Sequence, residues 1–191
     1  MDWKEIIQIV ALATGLPYIV LEILQKRAMW IIGIATGAAC SVAFIADRNW
    51  GQAGLNIYYM VMSVVGLVSW KMDEEKAGEG GIHLRRLTRK TALWSAIAFV
   101  LGSLVLAFLL RLLGDGVSLL DATATVLSII GTIWLARSIP EQWILWIVAD
   151  FLTTVLCLRQ GNIWMGVLYI AYIASAVYGY RLWMKKGKYV V

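Results

Sequence analysis

Three residues on one stretch, Trp143, Trp146 and Asp150, combine side-chain types and a spacing that could do chemistry. They stand at i, i+3 and i+7, which sets two indoles and a carboxylate on one face of a helix. The segment that carries them, Ile139 to Leu158, is apolar and long enough to cross a bilayer, with the acid well inside it. An unpaired carboxylate at that depth costs several kcal/mol, so a chain that keeps one there marks a candidate site. Aromatic faces beside a buried acid suit a flat organic cation. The chemistry expected is therefore binding of a positively charged ring.

The elements that must position this face are membrane helices. The chain has 191 residues, 61% of them hydrophobic and 15% charged, where a soluble domain averages about 25% charged. Seven apolar segments, roughly 5–25, 28–46, 50–71, 91–112, 117–137, 141–159 and 163–184, predict seven transmembrane helices, an all-α membrane protein. Most breaks are short and polar. The exception, 72–90, is charged and glycine-rich and reads as a flexible exposed loop. Of the 17 Lys and Arg, only Lys4, Arg48, Arg111 and Arg159 fall on the side of the N-terminus. The positive-inside bias then puts the N-terminus outside and the C-terminus in the cytoplasm, across a bacterial inner membrane. The opening Met1-Asp2-Trp3-Lys4-Glu5 lacks the basic region of a secretion signal, so the first helix is expected to be retained.

Several classes fall away. The formal charge of +5 sits in loops and tail, which fits membrane topology and not nucleic-acid binding. Cys40 and Cys157 lie in apolar segments and read as small core residues, not a disulfide. His83 has no second ligand at metal spacing, so neither a metal nor another cofactor is expected. There is no phosphate loop, no His-Glu-x-x-His and no Gly-x-Ser-x-Gly, which argues against an enzyme. A retinal protein would need a lysine inside the membrane, and every lysine lies at an end or in a loop.

An ungapped repeat runs at an offset of 113: Trp30 with Trp143, Leu55 with Leu168, Tyr59 with Tyr172, Gly66 with Gly179 and Trp70 with Trp183, among others such as Asn49 with Asn162. Segments 1–3 thus match segments 5–7, and segment 4 is unpaired. The predicted organisation is a first three-helix repeat (1–71), a cytoplasmic loop (72–90), a linker helix (91–113), a second repeat (114–184) and a tail (185–191). The extra crossing makes the two repeats parallel, a transporter architecture with substrate held between halves.

Each candidate also has a plainer reading. Trp30, Trp50, Trp70, Trp94, Trp134, Trp143, Trp164 and Trp183 lie near segment ends, where interfacial belts explain tryptophan. Trp146 is deeper, either a pocket wall or packing. The repeat partners of Trp146 and Asp150 are Gly33 and Gly37, either a helix-packing seam or a slot opposite the acid. Asn56, Tyr59 and Ser63, with Tyr169 and Tyr172, offer polar groups at mid-depth, to a ligand or to neighbouring helices. Thr123, Thr125, Ser128 and Thr132 are candidates for a path. Pro17, beside Gly15, is a hinge candidate. Glu22 is expected to pair with Lys26 one turn on, and Asp115 and Asp121 to be solvated.

Pro140-Glu141-Gln142-Trp143-x-x-Trp146-x-x-x-Asp150, the closing Tyr178-Gly179-Tyr180-x-x-Trp183 and the echo Tyr58-Tyr59-x-Val61-Met62-Ser63-x-x-Gly66 to Trp70 together resemble the Pnu family of vitamin transporters. The resemblance covers nearly the whole chain apart from 72–90. It implies a 3+1+3 bundle like the SWEET sugar carriers and a homo-oligomer, with a trimer among the options. It also implies facilitated diffusion, with a cytoplasmic kinase phosphorylating the vitamin so that it cannot return. The family's tryptophan-rich motif binds substrate, which carries to Trp143, Trp146 and Asp150, and more loosely to Asn56, Tyr59, Tyr169 and Tyr172. Nicotinamide riboside is the expected substrate, with thiamine the alternative; both carry a flat cationic ring, whereas riboflavin is larger and neutral. A proton-coupled carrier or ion channel using Asp150 as relay is the rival from another class, weakened by the finding of one deep acid where relays use several.

Overall fold

The structure, a computed structural model, describes residues 17–46, 50–77, 81–112 and 118–190. Within them lie seven helices and two short strands. The helices are α1 (residues 17–23), α2 (Ala28–Ala46), α3 (Trp50–Ala77), α4 (Arg89–Leu112), α5 (Ser118–Ala136), α6 (Gln142–Arg159) and α7 (Ile163–Lys186); the strands are β1 (His83–Leu84) and β2 (Lys188–Tyr189). Five helices, α3 to α7, contain stretches long and apolar enough to cross a membrane, and α2 has a shorter one, Ala28–Val42. Such segments become helices because hydrocarbon offers no partner for a backbone N–H, and the helix supplies one internally. The chain is a multi-pass membrane protein.

The predicted helix edges hold within two residues from α4 onward, and α3 departs from them. It runs to Ala77, past the expected end at residue 71. Lys71 to Lys76 contains no Gly or Pro to stop a helix, and Lys71 supports it with an i,i+4 pair to Glu75 at 3.9 Å. Arg27 reaches the same extension, its Nε 2.9 Å from Glu74.

The remainder of the connection is not the exposed flexible loop expected from its composition. Ile82, His83 and Leu84 are buried, and β1 pairs in parallel with β2, His83 opposite Lys188. The Gln25 amide brackets His83, donating to its carbonyl at 2.9 Å and accepting from its N–H at 2.6 Å. Asp73, fully buried, accepts from the Arg85 guanidinium and from Ser138 Oγ at 3.3 Å, and the Arg85 N–H donates to the Ser138 carbonyl at 3.0 Å. Glycine and charge suggested solvent, and Gly81, Arg86 and Thr88 to Lys90 are indeed exposed, but Ile82 to Leu84 are buried and their strand closes one end of the bundle. Asp73→Ala removes three hydrogen bonds, two from Arg85 and one from Ser138, and leaves the buried Ser138 hydroxyl without this acceptor. It is expected to cost about 1–3 kcal/mol, read as a lower unfolding temperature in detergent.

The same end shows why most of the end-located tryptophans are not belt residues. Trp30, Trp70, Trp134, Trp143 and Trp183 are all buried, while Trp94 and Trp164 are exposed as an anchor would be. Trp30 meets Trp70 edge-on at 5.1 Å, Trp143 meets Trp183 at 5.4 Å, and Trp70 meets Trp183 at 6.3 Å. Room for them comes from glycine: the Trp30 ring lies against Gly66, and a Cβ on Gly179 would stand 2.7 Å from the Trp143 ring. The Trp70 indole donates to the Leu135 carbonyl at 3.1 Å and the Trp183 indole to the Ile23 carbonyl at 2.9 Å. The Trp183 indole thus satisfies a helix-end carbonyl that no backbone N–H reaches among the described residues, and the Trp70 indole adds a second bond to the Leu135 carbonyl, which also accepts from the Ser138 N–H.

Those two helix ends share one geometry. Gln25 (φ 50°) and Ser138 (φ 55°) both adopt the left-handed conformation, and they are 113 apart in sequence. The N–H of Lys26 returns to the Leu21 carbonyl at 2.8 Å, and that of Ile139 to the Trp134 carbonyl at 2.9 Å, each closing its helix with a left-handed cap. Lys26 is thereby carried off the helix and does not lie one turn below Glu22 on the same face. The expected Glu22–Lys26 pair is absent among the described residues.

Candidate functional site

A cavity of about 460 Å³ opens among α1, α2, α3, α5, α6 and α7, within the size range of small-molecule sites. α4 contributes nothing to it and packs on α5, where the Trp134 indole donates to Ser95 Oγ at 3.1 Å. The apolar side chains along α4 are mostly exposed, as a lipid-facing helix requires.

The cavity brings together every binding residue read from the sequence: Asn56 and Tyr59 from α3, Trp143, Trp146 and Asp150 from α6, Tyr169 and Tyr172 from α7. Asp150 is 7% exposed, and its carboxylate makes no hydrogen bond or ion pair among the described residues. The local bond belongs to its backbone, whose carbonyl accepts from Thr154 Oγ1 at 2.7 Å. An acid held this way is available to a cation that enters. Trp146 fits beside it because α5 carries Gly131 there, whose Cβ position lies 3.3 Å from the ring. Tyr169 and Tyr172 meet edge-on at 5.8 Å, so the acid has aromatic rings on α6 and α7.

Trp143 borders the cavity, but its ring is taken up by Gly179 and Trp183, so packing explains most of its contacts. Gly33 and Gly37 satisfy both readings offered for them. Added Cβ atoms would stand 2.5 Å from Ser63 Oγ and 3.0 Å from the Met60 Cβ, a close seam with α3, and both glycines also line the cavity. Ser63, Ser128 and Thr132 line it too, though their hydroxyls donate back to the Tyr59, Ala124 and Ser128 carbonyls. Thr123 and Thr125 do not reach it. Pro17 opens the described part of α1 and lies off the cavity, while Gly15, Asn49 and Asp115 fall outside the described residues.

Sequence reasoning missed Glu22, along with Tyr18 and Thr153, which also line the cavity. Glu22 is 6% exposed, and its Oε1 has no hydrogen-bond partner. The signal was present: like Asp150, it is an acid within an apolar run, and it shares a face with Tyr18 four residues earlier. The cavity therefore holds two acids where one was expected.

A family model described as the nicotinamide mononucleotide transporter matches residues 5–185. The chain is 28% identical over 189 residues to the nicotinamide riboside transporter PnuC of Neisseria mucosa, covering 94% of this chain and 72% of that one. It is 24% identical over 213 residues to PnuC of Escherichia coli, covering 98% and 87%. A crystal structure of the vitamin B3 transporter PnuC superposes with a TM-score of 0.69 at 26% identity, covering 92% of this chain and 79% of that one. With a match from near the first residue to near the last, an all-helical bundle in common and a cavity at its centre, this chain belongs to the nicotinamide mononucleotide transporter family.

Proposed function

We propose that the protein is an uptake carrier for a flat cationic B-vitamin precursor, nicotinamide riboside. One observation carries this reading: Asp150, buried and unpaired among the described residues, faces a cavity walled by Trp146, Tyr169 and Tyr172. A pyridinium ring supplies the missing positive charge and stacks on the same walls. The relatives named for nicotinamide riboside support that ring over thiamine. Purified protein should be stabilised against heat by nicotinamide riboside more than by thiamine or riboflavin, since a ligand bound only to the folded state adds about 2.7 kcal/mol at a hundredfold excess over Kd. A larger shift with thiamine would overturn the choice of substrate.

The shared caps at Gln25 and Ser138, and the reciprocal bonds of Trp70 and Trp183, support a 3+1+3 plan. In it α1–α3 and α5–α7 are parallel repeats, α4 is the linker, and the cavity lies between halves that rock around it, with Pro17 as hinge. The distribution of basic residues supports an inner-membrane protein with its closed end in the cytoplasm and its N-terminus outside. Diffusion down a gradient, with a cytoplasmic kinase trapping the product, needs no energy-coupling site in this chain. The exposed apolar side chains of α4 leave room for a homo-oligomer, such as a trimer, as well as lipid.

The second acid favours one rival. Glu22 and Asp150 on one cavity are the beginning of a proton relay. Liposome uptake separates the two: accumulation that depends on an imposed pH gradient supports coupling, and gradient-independent equilibration supports facilitated diffusion.

A further inference from the structure

Buried polar side-chain atoms without a hydrogen-bond partner are few in folded proteins, and each invites an explanation. Here they cluster. Of eight such atoms among the described residues, four belong to residues lining the cavity: Glu22 Oε1 and the indole nitrogens of Trp30, Trp143 and Trp146. Two more are the amide oxygen and nitrogen of Gln142, which is 0% exposed and lies beside the Glu22 carboxylate. Gln142, like Ser103 and Glu141, which hold the remaining two, is not among the cavity-lining residues; it stands behind Glu22 in the wall.

The group is chemically mixed. It contains indole N–H donors, a carboxylate that accepts, and an amide that does both. A pyridinium nitrogen can neither donate nor accept, and the single carboxamide on a nicotinamide ring is too few groups for all of these atoms. A hydroxyl answers both kinds, accepting from an indole N–H while donating to a carboxylate. Two hydroxyls on adjacent carbons would meet Glu22 through one carboxylate and still accept from an indole N–H of the cavity wall. The placement also fits a ligand with two ends. Gln142 opens α6 and Asp150 lies eight residues later, about 12 Å along the helix axis at 1.5 Å per residue.

We infer that Glu22, with Gln142 behind it as a positioning residue, forms a second subsite in the cavity, one that takes the vicinal hydroxyls of a sugar while Asp150 takes the charge. The inference rests on the cationic-nucleoside reading and adds to it a part that selects the sugar. The carrier then recognises a riboside by two independent features, and a bare cationic ring satisfies only one.

The test compares nicotinamide riboside with 1-methylnicotinamide, the same charged ring with a methyl group in place of the sugar, by titration calorimetry or competition. Wild type should prefer the riboside. Glu22→Gln, which keeps the shape and removes the charge, should weaken riboside binding about tenfold or more, as a lost hydrogen bond to a charged group does, and leave 1-methylnicotinamide within about twofold. Gln142→Leu should act in the same selective direction. Asp150→Asn should weaken both ligands. Glu22 has no ion pair among the described residues and Gln keeps its shape, so Glu22→Gln should unfold at or above the wild-type temperature, which shows that the altered binding is not misfolding. If Glu22→Gln and Gln142→Leu leave riboside affinity unchanged, or weaken both ligands equally, the subsite is overturned while the carrier reading stands. If wild type binds neither ligand, the cationic-nucleoside reading fails and the subsite with it.

Discussion

Asp150→Asn is expected to lower the affinity for nicotinamide riboside by roughly 10- to 100-fold while leaving the protein as stable as wild type or more so. The two halves of that result have one cause. The carboxylate has no partner among the described residues, so the substitution breaks no native ion pair and relieves the burial of a charge. A cation drawn to within about 4 Å gains roughly 4 kcal/mol at an effective dielectric near 20, and part of that is returned in stripping water from both groups. The remainder, about 1.4–2.8 kcal/mol, sets the fold-change, at about tenfold for each 1.4 kcal/mol. Neutral nicotinamide, which has the ring without the charge, should bind both proteins equally. An Asp150→Asn variant that holds the riboside as tightly as wild type would remove the reason for placing the cation there. Trp146→Ala should weaken the riboside and nicotinamide alike, because it removes a wall and not a charge.

What could be read from the sequence follows from how local each signal is. The membrane helices were legible because twenty apolar residues in a row leave one outcome in hydrocarbon. The Trp146–Asp150 face was legible because helical periodicity converts spacing into direction. The Tyr59, Tyr169 and Tyr172 positions followed from their place on the same helices, and all line the cavity. Glu22 was misread because its environment depends on where α1 stops. A left-handed residue at Gln25, with no glycine to announce it, ends the helix early and turns Lys26 away. The 72–90 connection was misread for a related reason. Its buried part looked solvated because the groups that bond it, Gln25, Ser138 and the strand at Lys188, lie far away in sequence. Tryptophan at segment ends has two uses, and only the facing residue decides between them: Trp30 and Trp143 meet Gly66 and Gly179, whereas Trp94 and Trp164 remain exposed.

Those glycine–tryptophan contacts supply the other large effect. Gly179→Ala adds one methyl group, yet its Cβ would lie 2.7 Å from two atoms of the Trp143 ring and 2.9 Å from a third. The ring has nowhere to go, because Trp183 holds it edge-on at 5.4 Å and the Trp183 indole is in turn bonded to the Ile23 carbonyl. Overpacking a rigid contact of this kind typically costs about 1–3 kcal/mol, and it outweighs the roughly 1 kcal/mol that alanine normally gains over glycine inside a helix. Gly54, on α3 with no atom within 4 Å of an added Cβ, is the matched control: Gly54→Ala should raise the unfolding temperature in detergent while Gly179→Ala lowers it by several degrees. Because Trp143 also borders the cavity, the Gly179 variant should lose substrate affinity as well. Adding Trp143→Phe, which shortens the ring system, should recover part of the lost stability; a double variant no more stable than Gly179→Ala alone would mean that the clash is not with this ring.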